Sequence, residues 1–266
     1  MIWLKKKWQR KILTLLWPFR FIGARLTKFP PVGRLVKHFF FDGDFAVYLP
    51  HKKAQKGQVK VVLPDAVVNY FIEQASFRFQ MNGCVCRETN RCQNYPPDLG
   101  CLFLGEAARG INPALGREVG VAEAKAIQKR VDELGLINMV GKLRLDRVLL
   151  AVSPGERLLT ICHCCECCCL FNLLPYLATP IGRSIQKLDG VEVSVDGPCR
   201  GCGRCVETCF ARAISIEEGK AVIGEQCRGC GRCVTSCPAE AITLTIEKDD
   251  FIEESILRIR SYVQVD

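Results

Sequence analysis

The chain has 266 residues, 48% of them hydrophobic and 24% charged, a globular balance that excludes a disordered or low-complexity protein. Its net charge of +9 is local: residues 1–60 hold fourteen Lys/Arg against two acids, Asp42 and Asp44, while the rest hold twenty-three against twenty-six. All eighteen cysteines lie between Cys84 and Cys237, many two or three residues apart, which disfavours disulfides; with no A-x-A cleavage site after the basic start, metal-bound thiolates in a reducing cytoplasm are expected.

In chain order, residues 2–17 place Leu4, Trp8, Ile12, Leu15 and Leu16 at helical spacing, with Lys6, Lys7, Arg10 and Lys11 mostly opposite. Trp3, Trp17 and Lys5 blur the two faces, and Pro18 ends the pattern. These apolar runs are shorter than the ~20 residues of a transmembrane helix. They predict that the helix over 2–17 lies in a membrane interface, with Lys and Arg against anionic headgroups and residues 1–28 as the membrane-facing segment. The alternative is a helix packed on a partner protein or on the chain's own core. Nucleic acid is not an expected partner, because no reader motif accompanies the charge.

Residues 18–60, including Phe39-Phe40-Phe41, read as irregular or partly strand-like linking structure. A buried helix is predicted from Asp65 to Phe79, with Val67, Val68, Phe71, Ile72 and Ala75 inside, delivering the chain to Cys84. Another is predicted from Arg117 to Leu134, with Gly135 as its left-handed cap. Leu158–Ile161 reads as a short strand feeding a cysteine cluster.

The remainder is duplicated. Val191–Val195 precedes Cys199-x2-Cys202-x2-Cys205-x3-Cys209-Phe, and Ala221-Val-Ile precedes Cys227-x2-Cys230-x2-Cys233-x3-Cys237-Pro. An Ala-x-Ala-Ile unit follows each run and leads into a strand, Ile214–Glu217 or Ile242–Glu247. Ile252, Ile256, Ile259 and Val263 mark a terminal helix. Two-residue gaps let three thiolates reach three corners of a cubane, with glycines turning backbone N–H groups towards the sulfides. In two-cluster ferredoxins the fourth cysteine of each run serves the other cluster. The expected sets are therefore Cys199, Cys202, Cys205 and Cys237 for one [4Fe–4S] cluster, and Cys227, Cys230, Cys233 and Cys209 for the second. A pair of four-cysteine zinc sites is the alternative, although zinc usually takes separated C-x2-C pairs. Arg200, Arg204, Arg228 and Arg232 lie within the loops; they either raise the cluster potentials or are solvated.

Residues 190–247 closely resemble bacterial two-[4Fe–4S] ferredoxins, which implies a compact pseudo-symmetric β–α–β pair and one-electron transfer at low potential. Phe210 departs from the proline usual in that family after the fourth cysteine.

Ten cysteines precede this module: Cys84, Cys86, Cys92 and Cys101, then Cys162, Cys164, Cys165, Cys167, Cys168 and Cys169. In extended C-x-C both side chains face one way, so Cys84 with Cys86, and Cys162 with Cys164, can share a site, while Cys165 and Cys167 face the other way. One run could thus feed two centres. Residues 60–185 resemble a group of anaerobe iron–sulfur proteins in which a C-x-C-R segment, an E-x-G-L helix end (Glu133–Leu136) and a C-x-C-C-x-C-C run precede a dicluster ferredoxin. The resemblance implies at least one further cluster. Structural zinc and a dithiol redox centre are the other readings. His163 is expected to hydrogen-bond rather than ligate, and Glu166 to be solvated.

The fold expectation is α+β: a basic arm over 1–58, a mainly helical cysteine-rich domain over 59–188, a pseudo-symmetric dicluster domain over 189–248 and a helix over 249–266. The expected function is electron transfer between unidentified redox proteins, near a membrane or a larger complex. A reductase with a substrate-binding cluster, or a cluster carrier or redox sensor, are the alternatives. No G-x-G-x-x-G opens a helix, and no flavin or C-x3-C-x2-C motif occurs.

Overall fold

The computed structural model describes residues 15, 17–51, 63–247 and 249–266. The helix expected over 2–17 falls, apart from Leu15 and Trp17, outside the described residues.

Residues 18–41, expected to be irregular, instead form helices Arg20–Leu26 and Pro30–Val36 and a π-helical turn Lys37–Phe41. Pro30 at the first helical position sets the backbone for the second helix. The chain then enters strand β1 (Phe45–Tyr48), every residue of which is buried.

The helices of the cysteine-rich region are organised round a sheet. After helix Leu63–Gln74 come β2 (Arg78–Met81), β3 (Leu102–Leu104), β4 (Gly116–Glu118), helix Val121–Glu133, β5 (Ile137–Lys142), β6 (Leu159–Cys164) and β7 (Ile185–Gln186). The strand order is β4-β2-β3-β6-β5-β1-β7, with every pair antiparallel except β1 and β7. Residues 45–48, read from sequence as part of the arm, are an interior strand of this sheet. The helix expected to reach Phe79 stops at Gln74, and β2 leads to Cys84 instead. Gly135 takes the left-handed cap conformation, with φ 73°.

Side chains alternate across the pleat. On one face Phe45, Val47, Leu102, Leu104, Val140, Leu159 and Ile161 pack with Val67, Val68, Phe71 and Ile72 of the first long helix. The other face carries Tyr48, Ile137, Met139, Cys162 and Cys164. One face is thus core, and the other is a platform for sulfur.

The duplicated module has two antiparallel hairpins. Strand β8 (Val191–Val195) pairs with β11 (Ile242–Ile246), and β9 (Ile214–Glu217) with β10 (Lys220–Ile223). Short helices Arg204–Thr208 and Arg232–Ser236 follow Gly203 and Gly231, whose matching φ values of 78° and 79° express the internal symmetry. Helix Phe251–Arg260 docks through Phe251 and Ile259 into the same core as the sheet and the module. Among the described residues no helix is long and apolar enough to cross a membrane.

Candidate metal centres

The eight cysteines of the duplicated module form two sets that cross between the repeats. A cavity of about 140 Å³ is lined by Cys199, Cys202 and Cys205 of the first run together with Cys237 of the second. On the other side, Cys227, Cys230 and Cys233 are neighbours of Cys209. Backbone N–H groups turn to the sulfurs in equivalent places: Ala213 N–H to Cys209 Sγ and Ala241 N–H to Cys237 Sγ, both at 3.3 Å. Ala221 donates to Cys199 Sγ at 3.3 Å and Gly229 to Cys227 Sγ at 3.4 Å. Donors aimed at sulfur, with cysteines lining a cavity from both repeats, fit a cluster held as thiolates.

The two sets differ in environment. Cys202, Arg200 and Arg204 are exposed, whereas Arg228 and Arg232 are only 8% and 6% exposed. The second loop is pressed against the sheet domain. His51 N–H donates to the Cys230 carbonyl at 3.0 Å, Arg228 to the Gly182 carbonyl at 3.4 Å, and Arg232 to the Cys164 carbonyl at 2.7 Å. Phe210 is buried with its ring 4.6 Å from that of Tyr48, and the Arg232 guanidinium lies 5.9 Å from the Phe210 ring. Pro238, the residue in the same place in the other repeat, is exposed. Burial pushes the Cys230 thiol up to about 11, with Arg232 opposing.

The ten remaining cysteines separate into six and four. Strand register starts the group of six: Leu102 pairs with Ile161, so Cys101 comes opposite Cys162, and their sulfurs are 3.0 Å apart. Cys162 and Cys164 share the platform face, and the Tyr48 hydroxyl lies 3.9 Å from Cys164 Sγ. Cys164 is hydrogen-bonded to Cys169 and Cys84 to Cys86, and Cys86 faces Cys169 and Cys101. Cys84 and Cys86 do not form the extended C-x-C expected: Cys84 is the cap of the short helix Val85–Thr89 and Cys86 lies within it. The Cys86 thiol holds Cys84 down, to about 6, while Cys86 itself is pushed up by the same bond and by burial.

The other four, Cys92, Cys165, Cys167 and Cys168, have sulfurs all within 4.8 Å of one another. Strand β6 ends at Cys164, so the turn that follows, rather than continued alternation, carries Cys165, Cys167 and Cys168 away from the six.

Arginines occupy the spaces between these groups. Arg87 is fully buried, donates to the His163 carbonyl at 2.9 Å and to the Leu99 carbonyl, and faces both Cys84 and Cys165. Arg232 faces Cys230 on one side and Cys164 and Cys169 on the other. Arg20 faces Cys86 and Cys168 and donates to Asn90 at 3.0 Å. Asn90 donates to the carbonyls of Cys86 and Cys168 and accepts from Trp17 at 3.1 Å. Trp17 is therefore buried against the cysteine-rich region rather than facing outwards. His163 points to the core face, where its Nδ1 lies 3.0 Å from Asn138 Oδ1; burial, then Arg87, lowers it to about 3. Both Glu166 oxygens accept from the Tyr95 hydroxyl at 3.0 Å, so this carboxylate is partnered rather than merely solvated. Tyr48, Arg20, Asn90 and Tyr95 carry no motif signal; strand register and loop docking bring them to the sulfurs.

No curated protein matches this chain. Residues 198–241 match the 4Fe–4S dicluster domain family.

Proposed function

We propose that the chain is an iron–sulfur electron-transfer protein with three clusters in series. Cys199, Cys202, Cys205 and Cys237 hold an outer [4Fe–4S] cluster, and Cys227, Cys230, Cys233 and Cys209 hold an inner one. The six cysteines Cys84, Cys86, Cys101, Cys162, Cys164 and Cys169 hold a further iron–sulfur cluster. When bound, each cluster accepts and releases single electrons. The observation that carries the reading is Arg232, which belongs to the inner loop yet lies buried between Cys230 and the Cys164–Cys169 pair. A cation held between two anionic centres reduces their mutual repulsion, and its contacts fix their separation. The exposed Cys202 loop supplies the port for an outside redox partner.

The test is EPR of the fully reduced, anaerobically purified chain. The inner and six-cysteine clusters are expected to broaden each other's signals, and Cys202→Ser, which alters only the outer cluster, should leave that interaction in place. Signals that add as isolated clusters would refute the series.

The arm is assigned to an anionic membrane surface. Eight of the thirteen exposed large apolar side chains among the described residues lie between positions 15 and 40, including Phe19, Ile22, Leu26, Phe29 and Leu35. Arg25, Lys28 and Arg34 are interspersed, and no acid occurs from 15 to 41. Flotation with phosphatidylglycerol vesicles should carry the chain upwards, and a Phe19→Ser/Ile22→Ser/Phe29→Ser variant should stay behind. Equal flotation of the two would remove the membrane from the account.

A further inference from the structure

The geometry points to a single tetrahedral metal ion bound by Cys92, Cys165, Cys167 and Cys168, separate from every iron–sulfur cluster. It stands apart from the electron-transfer reading, because neither the dicluster module nor the six-cysteine centre contributes a ligand.

Cys92 Sγ is 3.6 Å from Cys167 Sγ, Cys167 is 3.5 Å from Cys168, and all four sulfurs fall within 4.8 Å of one another. Four thiolates at about 2.3 Å from one zinc stand about 3.8 Å apart along the tetrahedron's edges. A cubane puts four irons among its thiolates and needs them much farther apart. Among the described residues no other group of three or more Cys, His, Asp or Glu side chains is drawn so tightly together, the dicluster cysteines included.

Cys92 stands on the turn after helix Val85–Thr89, and the other three on the turn after β6, so one ion would tie two loops together. Cys165 and Cys168 are buried and Cys167 exposed; all four ligands come from the chain and no open position is left for substrate, as in structural sites. Four thiolates on a divalent ion leave a net charge of about −2, and Arg87 beside Cys165 and Arg20 beside Cys168 are placed to offset it. Soft thiolates in this geometry select zinc, or iron as a lone ion.

The test begins with the full chain purified anaerobically. Metal analysis should give about one zinc per chain, with a zinc absorption edge showing four sulfurs at about 2.3 Å. Cys92→Ser and Cys167→Ser should lose that zinc while keeping their full iron and labile sulfide. A lone-iron version of the same site would show no zinc, a high-spin ferric tetrathiolate signal, and loss of about one iron in each variant. Loss of about four irons and four sulfides would overturn the inference, since the cysteines would then be cluster ligands; the electron-transfer reading would survive that outcome. Zinc absent from the unmodified chain, with no lone-iron signal, would overturn it without recourse to any variant.

Discussion

Arg228 and Arg232 repeat Arg200 and Arg204 in sequence but not in surroundings: the first pair is buried against the sheet domain and the second is exposed. Solvent screens an exposed guanidinium, whereas a buried one is screened much less and acts more strongly on its neighbours. Arg232→Gln is expected to make the potentials of the adjoining centres more negative, by on the order of 50 mV, because a cation that favours the added electron is gone. Arg204→Gln should leave them within error, and redox titration followed by EPR distinguishes the two. Phe210 departs from the family proline because it has a partner, the ring of Tyr48. Phe210→Ala should cost about 3 kcal/mol in denaturant unfolding by emptying that contact, whereas Pro238→Ala, at an exposed site, should cost far less. The two loops read alike in sequence because burial is conferred by a partner surface some 50 to 180 residues away, which no local spacing encodes.

Among the elements, the repeat was the most legible: the strands at 191–195, 214–217 and 242–246 lie where the apolar alternation put them, since each borders a cysteine run of fixed spacing. Of the seven-stranded sheet only β6 was legible, as the strand read over Leu158–Ile161. Its strands run from two to six residues, and β2 follows a helix so closely that its apolar residues prolong the helical pattern. What makes them strands is cross-strand pairing, which is non-local. Strand β1 crosses β5 closely at Gly141, where an added Cβ would stand 2.4 Å from the Phe45 carbonyl oxygen and 2.8 Å from Ala46 Cα. Gly141→Ala should therefore destabilise the chain by about 1–3 kcal/mol, read from chemical unfolding. Just before β1, Asp44 accepts the Arg144 N–H at 2.6 Å through Oδ1, while Oδ2 is buried without a hydrogen-bond partner. Burial raises this carboxyl to about 7. Its folded pKa thus exceeds its unfolded one, so the folded state binds the proton more tightly and stability falls as pH rises from about 4 through 7. Asp44→Asn should flatten that slope between pH 5 and 8; an unchanged slope would mean that Asp44 is not its source.

At the scale of the molecule, eighteen cysteines resolve into two crossed sets of four, a group of six and a group of four. The crossed sets follow from spacing within a known kind of repeat. The division of the other ten required the fold, because Cys162–Cys169 is one short stretch in sequence: β6 ends after Cys164, the turn that follows carries Cys165, Cys167 and Cys168 to the group of four, and Cys169 returns to Cys164. The same architecture gives the module an inner and an outer face, with the inner loop sealed by the sheet and the outer loop open. The central claim is that the six-cysteine centre is a further redox cluster beside the inner one. Iron and acid-labile sulfide per chain, measured on protein purified without oxygen, test it most directly. Clearly more than eight of each are expected, and about twelve if the third cluster is a cubane. About eight irons and eight sulfides, with all signals assigned to the dicluster module, would contradict it.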